Sequence, residues 1–274
     1  MHEIPEQRTE RKRTIDMDKT LVAIPYLSKA AQGCELELAV AGWLKFFTDP
    51  LHLIIVGDRD DNVDRAFENA KMLSQEGTTE LEFISCPQIP PVEGEYLPHL
   101  DHVHKFRRVH EEYPDTEGFV YACDDMYAMR PFGLQHVHQV KVPSDFVIPS
   151  FDWEKEKGWW RDLGKTRDLC FREGFPERNY VCHLPVYYRW DWLLDIYDRY
   201  DCDHVSYIVE NIYFNKHYDR SEPWWYDTLF HDEVRTAVPG LRPVGSVTWV
   251  TNANCGWSRR LEDILRKHYG IWER

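Results

Sequence analysis

Asp124 and Asp125 stand side by side where the apolar run Phe119-Val120-Tyr121-Ala122-Cys123 ends and Met126-Tyr127 begins. Two carboxylates closing a buried strand repel each other unless protons or a cation reconcile them. Oxygen donors of this kind suit Mg²⁺ or Mn²⁺, either of which can in turn hold a diphosphate. The plain alternative is a pair of turn or helix-capping acids, so the surroundings must decide. Lys105, with Arg107 and Arg108 nearby, could stabilise an anionic leaving group, although a solvated helix face accounts for each arginine as well. Asp58 follows Gly57, a residue that permits close backbone approach to a ligand, and Asp60 and Asp61 extend that charged loop. His183 sits in the apolar stretch Val181–Val186, where a core histidine is the ordinary reading. A neutral imidazole there could also join carboxylates around Mn²⁺ more readily than around Mg²⁺. His231 is its rival. Glu210 falls off the apolar stripe Val205, Ile208, Val209, Ile212, with Asn211 and Asn215 stacked one turn apart on a neighbouring face. Trp224, Trp225, Tyr226 and Trp249 could stack on sugar rings or pack in the core.

The elements that must position these groups follow from periodicity. Thr20–Tyr26 and Leu51–Gly57 are almost wholly apolar, as strands covered on both faces are. Leu36, Val40, Trp43, Leu44 and Phe47 repeat at helical spacing across Glu35–Phe47. Asp64–Gln75 is expected to be helical, Leu81–Ser85 to be a third strand, and His99–Tyr113 a helix. This alternation is that of an α/β sheet, mixed but mostly parallel, with flanking helices. Ligands of such sheets bind beyond the carboxyl ends of the strands. Pro25, Tyr26 and Ser28, then Gly57–Asp61, then Cys123–Met126 all fall at such ends. The second half is expected to be helical and loop-rich: a strand at Asp145–Pro149, a charged aromatic loop with short helices at Trp153–Arg172, helices marked by Val186-Trp190-Leu193-Tyr197 and by Val205–Ile212, and a last helix, Ser258–His268, stopped by Gly270.

Composition excludes several classes. A net charge of −14 over 274 residues disfavours binding to nucleic acid or anionic membranes. Seven scattered cysteines without a CxxC pair argue against a disulfide framework or zinc knuckle and suggest a reducing compartment. There is neither an apolar signal core at the start nor a run of membrane-spanning length, so the expectation is a soluble, cytoplasmic protein. Residues 1–19 read as a flexible tail, 20–149 as the nucleotide-binding core, and 150–274 as a helix-rich part of the same domain.

The run FVYACDDMYAM resembles the acidic strand-end motif of GT-A-fold glycosyltransferases, and LVAIPYLSKAAQGCELELAVAGWLKFF followed by LHLIIVGD resembles their first strand, helix and second strand. HKFRRVHEEYPDTEGFVYACDD is similar to the lysine-bearing helix that precedes the motif. Cys182-His-Leu-Pro185 resembles an element of bacterial polysaccharide-synthesis transferases of the Stealth type. The resemblance covers about residues 20–132 closely, and it implies a GT-A-like, Rossmann-like fold. It also implies a metal-dependent transfer of sugar from a nucleotide-diphosphate donor, a UDP- or GDP-sugar, to a hydroxyl acceptor such as a glycan. Asp124, Asp125 and His183 would hold Mn²⁺ or Mg²⁺; Pro25, Tyr26, Ser28, Asp58 and Lys105 would line the donor site. Glu210, alongside Asp125, would serve catalysis by taking the acceptor's proton. A sugar-phosphate transferase or nucleotidyltransferase would use the same acids, and a non-catalytic carbohydrate-binding protein would use the aromatic residues alone.

Overall fold

The computed structural model describes residues 18–74, 78–92, 94–139, 148–181, 183–218, 228–230, 248–252 and 257–271. Strand β1 (Thr20–Tyr26) leads through α1 (Glu35–Phe46) to β2 (Leu51–Gly57), and α2 (Asp61–Leu73) leads to β3 (Thr79–Ser85). Helix α3 (Pro98–Glu112) precedes β4 (Gly118–Tyr121), β5 (Met126–Ala128) and the short α4 (Leu134–Val137). Then come α5 (Gly158–Glu173), β6 (Val186–Arg189), α6 (Trp190–Arg199), α7 (Val209–His217), β7 (Thr228–Phe230), β8 (Trp249–Thr251) and α8 (Arg259–Tyr269).

The central sheet has the order β3-β2-β1-β4-β6. Four strands run parallel, and β6 alone is antiparallel, with Tyr121 opposite Val186. Alternate side chains of β1 point to opposite faces: Val22 and Ile24 pack with α1 and α2, whereas Leu21 and Ala23 join Val103, Phe106 and Val109 of α3. Covering both faces is why β1 and β2 needed apolar residues throughout. Each fully buried aliphatic residue contributes roughly 1.5–3 kcal/mol. A second, three-stranded sheet, β5-β8-β7, lies against α1 and α8.

Three expected helical boundaries change. The helix expected from Val205 begins only at Val209, with Ile208 at its N-cap, so Val205 and Ile208 form no helical stripe with Val209 and Ile212, and the placing of Glu210 off such a stripe does not hold. The region read as a loop with short helices is one continuous helix, α5, opened at Gly158 and closed by the left-handed Gly174. Its interior buries Leu163, Thr166, Leu169 and Cys170, a helical spacing that the many charges between them obscured. Val186 does not belong to the helix of Trp190, Leu193 and Tyr197. It opens β6, where Val186 and Tyr188 are buried while Tyr187 and Arg189 are partly exposed. Residues 148 and 149 carry no strand, and the rest of that expected strand lies outside the described residues, as does all of the tail up to residue 17. Trp249 is core: it packs on Phe132 at 4.6 Å and on Trp43 at 5.6 Å. His231, Trp224, Trp225 and Tyr226 lie outside the described residues.

Candidate active site

The chain leaves the central sheet at the acid pair. Ala122 N–H donates to the Ala23 carbonyl, the last hold of β4 on β1; Asp124 and Asp125 then form the turn into β5 of the second sheet. That turn is closed by Met126 N–H donating to the Cys123 carbonyl at 3.3 Å. Both carboxylates therefore project from a seam between two sheets. Because β1, β2 and β4 are parallel, their carboxyl ends share the edge where the acids lie.

A cavity of about 800 Å³ opens there, and Pro25, Lys105, Asp124, Asp125, His183 and Glu210 all line it. The fold thus delivers to one place residues as far apart in the chain as Pro25 and Glu210. Burial raises the Asp124 carboxyl well above the usual range, and the neighbouring charges of Asp125 and Glu35 push the same way. One oxygen of Asp125, Oδ1, is buried with no hydrogen-bond partner among the described residues. Its other oxygen lies 3.6 Å from His183 Nδ1. His183 has a φ of 47°, in the left-handed region that few non-glycine residues adopt. Such strain is characteristic of functional turns.

Lys105 is buried at 1% exposure and donates to Asp101 Oδ2 at 2.6 Å and to the Tyr26 carbonyl at 2.8 Å. Asp101 also accepts from Ile89 N–H and the Tyr96 hydroxyl. The ammonium thus lines the cavity but is already paired, and it ties the end of β1 to α3. Arg107 bonds Asp198 and Asp203, and Arg108 bonds Glu111 and Glu112, so both serve the surface.

The remaining donor-site candidates sit around, not in, this cavity. The Tyr26 ring is buried and its hydroxyl donates to Asp60. Asp60 caps α2 through Asn62 N–H and Val63 N–H, a structural duty. Ser28 occupies the turn after β1, and Asp58 follows β2; neither lines the cavity. The close approach that Gly57 allows is taken up by the Tyr26 carbonyl, which would lie 2.0 Å from any Cβ added at 57.

Glu210 enters from the first turn of α7; burial raises the proton affinity of Tyr121, Cys123 and Tyr188, and the charge of Glu210 pushes the same way. The same helix secures the segment leading to His183. Asn211 accepts from Tyr180 N–H at 2.6 Å and donates to Asn179, while Asn215 accepts from Arg178 N–H and donates to the Arg178 carbonyl. Both amides are buried. Their one-turn spacing was visible in the sequence, but their partners were not. Residues that the sequence did not mark as site residues also line the cavity: His99, His102, Tyr121, Tyr188 and Tyr197. His99 and His102 stand one turn apart on α3, and that spacing was the signal that could have found them.

Among the described residues, no group of three or more His, Cys, Asp or Glu side chains is arranged to hold a metal ion. Nor is any described helix long and apolar enough to cross a membrane.

No known family profile matches the chain, and no curated protein matches it either. Solved structures similar to it include the bifunctional glycosyltransferase WbbM, at 10% identity and a TM-score of 0.45 over 80% of this chain. The galactosyltransferase LgtC, solved with donor and acceptor sugar analogues, is similar at 14% identity and a TM-score of 0.41, over 92% of this chain and 96% of LgtC. The glycosyltransferase GlyE of Streptococcus pneumoniae TIGR4 is similar at 12% identity and a TM-score of 0.33 over 73% of this chain. The chain spans 41% of WbbM and 44% of GlyE.

Proposed function

We propose that this protein is a glycosyltransferase that moves a sugar from a nucleotide-diphosphate donor to a hydroxyl acceptor. The observation that carries the reading is the single cavity at the carboxyl edge of the parallel strands, where Asp124, Asp125, His183 and Glu210 meet. The donor set suits a divalent cation. Asp125 Oδ1 is buried and lacks a partner among the described residues, Asp124 is held toward its protonated form, and an imidazole stands beside them. Asp124 and Asp125 would hold Mn²⁺ or Mg²⁺, with His183 as the further ligand. Among the described residues no three such side chains are placed to hold an ion together, so binding would draw His183 toward the two acids, and substrate phosphates and water would complete the shell. Such an ion, when bound, neutralises charge on the departing diphosphate.

The chain's own residues supply the rest. The Lys105 ammonium, paired with Asp101 and bonded to the Tyr26 carbonyl, sets a fixed dipole in the wall near Asp124. It acts as a preorganised ion pair and not as a mobile arm. Glu210 takes the proton of the acceptor hydroxyl as the new bond forms. Of the strand-end residues, Pro25 in the cavity wall would meet the nucleoside, with Ser28 and Asp58 at the rim beside it and Tyr26 buried behind.

The test is turnover of UDP- and GDP-sugars with Mn²⁺, with and without EDTA, scored by product. Release of nucleoside diphosphate is expected, whereas nucleoside monophosphate would indicate sugar-phosphate transfer. Asp125→Ala should abolish turnover and weaken nucleotide-sugar binding; unchanged values for both would sink the assignment.

A further inference from the structure

The cavity that holds the acid pair is also walled by residues of α3, β4, β6 and α6, and these walls differ in character from the acidic one. Phe106, Tyr121, Tyr188 and Tyr197 supply aromatic surface. Beside the tyrosine hydroxyls, the polar side chains of these walls include the imidazoles of His99 and His102, whose ring centroids are 6.3 Å apart. His102 lies 6.0 Å from the Phe106 ring and 5.8 Å from that of Tyr121. His99 Nε2 is buried without a hydrogen-bond partner among the described residues. A buried polar atom left in this way is costly unless a ligand satisfies it.

The charges facing this chamber are unbalanced. Among the described residues lining the cavity, Lys105 is the one lysine or arginine, and Asp101 already neutralises it. Against it stand Glu210 and, in the metal-free protein, Asp125, while Asp124 is held toward its protonated form. Burial lowers the proton affinity of both imidazoles, His99 to about 4 and His102 to about 3, so neither supplies a positive charge near neutrality. A neutral imidazole offers one donor and one acceptor, which matches a sugar hydroxyl. An anionic substituent would find only an unpaired, desolvated position.

We infer that His99 and His102 select an uncharged sugar ring and discriminate against rings bearing a carboxylate or phosphate. The inference rests on the glycosyltransferase reading for its substrate class. The ring's chemistry is the same whether it comes from donor or acceptor, and the experiment separates these sources.

Calorimetric titration of the full chain, without nucleotide, with methyl glucoside and methyl glucuronide reads selectivity directly. The glucoside should bind, and the glucuronide should bind at least about 10-fold more weakly, given what mismatched polar groups cost. His99→Leu and, as the milder variant, His102→Gln should each weaken glucoside binding about 10-fold with an unchanged unfolding midpoint. Turnover with Mn²⁺ then locates the ring. A preference for UDP-glucose over UDP-glucuronate that weakens in the histidine variants places it on the donor. A preference for glucoside over glucuronide acceptors that weakens in them places it on the acceptor. Equal binding of the two glycosides, binding of neither, or wild-type affinity in both variants overturns the inference. Failure of every nucleotide sugar to turn over would instead overturn the glycosyltransferase reading, and the calorimetric comparison would still decide selectivity.

Discussion

Replacing Lys105 by methionine keeps most of the side chain's stem and removes only its charge and three donors. Lys105 and Asp101 are 1% and 0% exposed, so the carboxylate left behind cannot recover water. Two donors, Ile89 N–H at 3.0 Å and the Tyr96 hydroxyl at 3.2 Å, would still serve it, but both are neutral. The Tyr26 carbonyl also loses its 2.8 Å partner at the end of β1. Breaking one side of a buried pair costs about 3–5 kcal/mol, and the two remaining donors place Lys105→Met near the lower figure. Asp101→Asn combined with Lys105→Met removes the stranded charge and should recover more than half of that loss. Urea unfolding of the wild type, both single variants and the double variant completes the cycle. A Lys105→Met cost under about 1 kcal/mol, or a double variant as unstable as the sum of the singles, would refute the pairing as the feature that holds β1 to α3.

Glu210→Gln should lower the transfer rate about 100-fold or more, the range for a lost general base, while the donor's KM holds; an unchanged rate would remove Glu210 from the chemistry. Asn211→Ala should cost about 1–3 kcal/mol in unfolding free energy, since Tyr180 N–H and Asn179 lose a buried partner. It should also reduce turnover more than Asn215→Ala does, because Asn211 bonds the chain nearer His183. Glu35 titrates near 7 instead of its ordinary 4.5, mainly through burial, despite bonds from Gln32 N–H and Asn252. The folded state therefore holds this proton more tightly than the unfolded chain, and that stabilisation is complete below pH about 4.5. It is lost as pH rises toward 7, a decline of about 3 kcal/mol. Glu35→Gln should flatten that slope in metal-free protein, measured as unfolding free energy at pH 5 and pH 8.

The α/β core was legible because its strands are covered on both faces. Burial on both sides demands continuous apolar runs such as Thr20–Tyr26 and Leu51–Gly57, and the helix at Glu35 carried a clean apolar stripe. Gly270, at a φ of 76°, ended α8 as a glycine stop should. Val186 misled because apolar residues four apart read as a helix, and only pairing with β4 shows that the first of them opens a strand. The charge-rich α5 misled for the opposite reason: its buried residues were hidden among exposed ones, and the residues that cover them, such as Ile148, Ile208 and the 3-10 turn Trp153–Lys155, are distant or irregular.

The site divides along the same line. Sequence alone determined that two acids end a central strand, since local order places Asp124 and Asp125 after Cys123 whatever the rest of the chain does. It also determined that a lysine-bearing helix precedes them. Only the tertiary structure decided that Lys105 is paired with Asp101, that Asp60 caps a helix, and that Trp249 is core. It alone brought His183, Glu210, His99 and His102 to the same cavity. A residue's type and local periodicity are properties of short segments, whereas partners, burial and field depend on which distant segments the fold packs together.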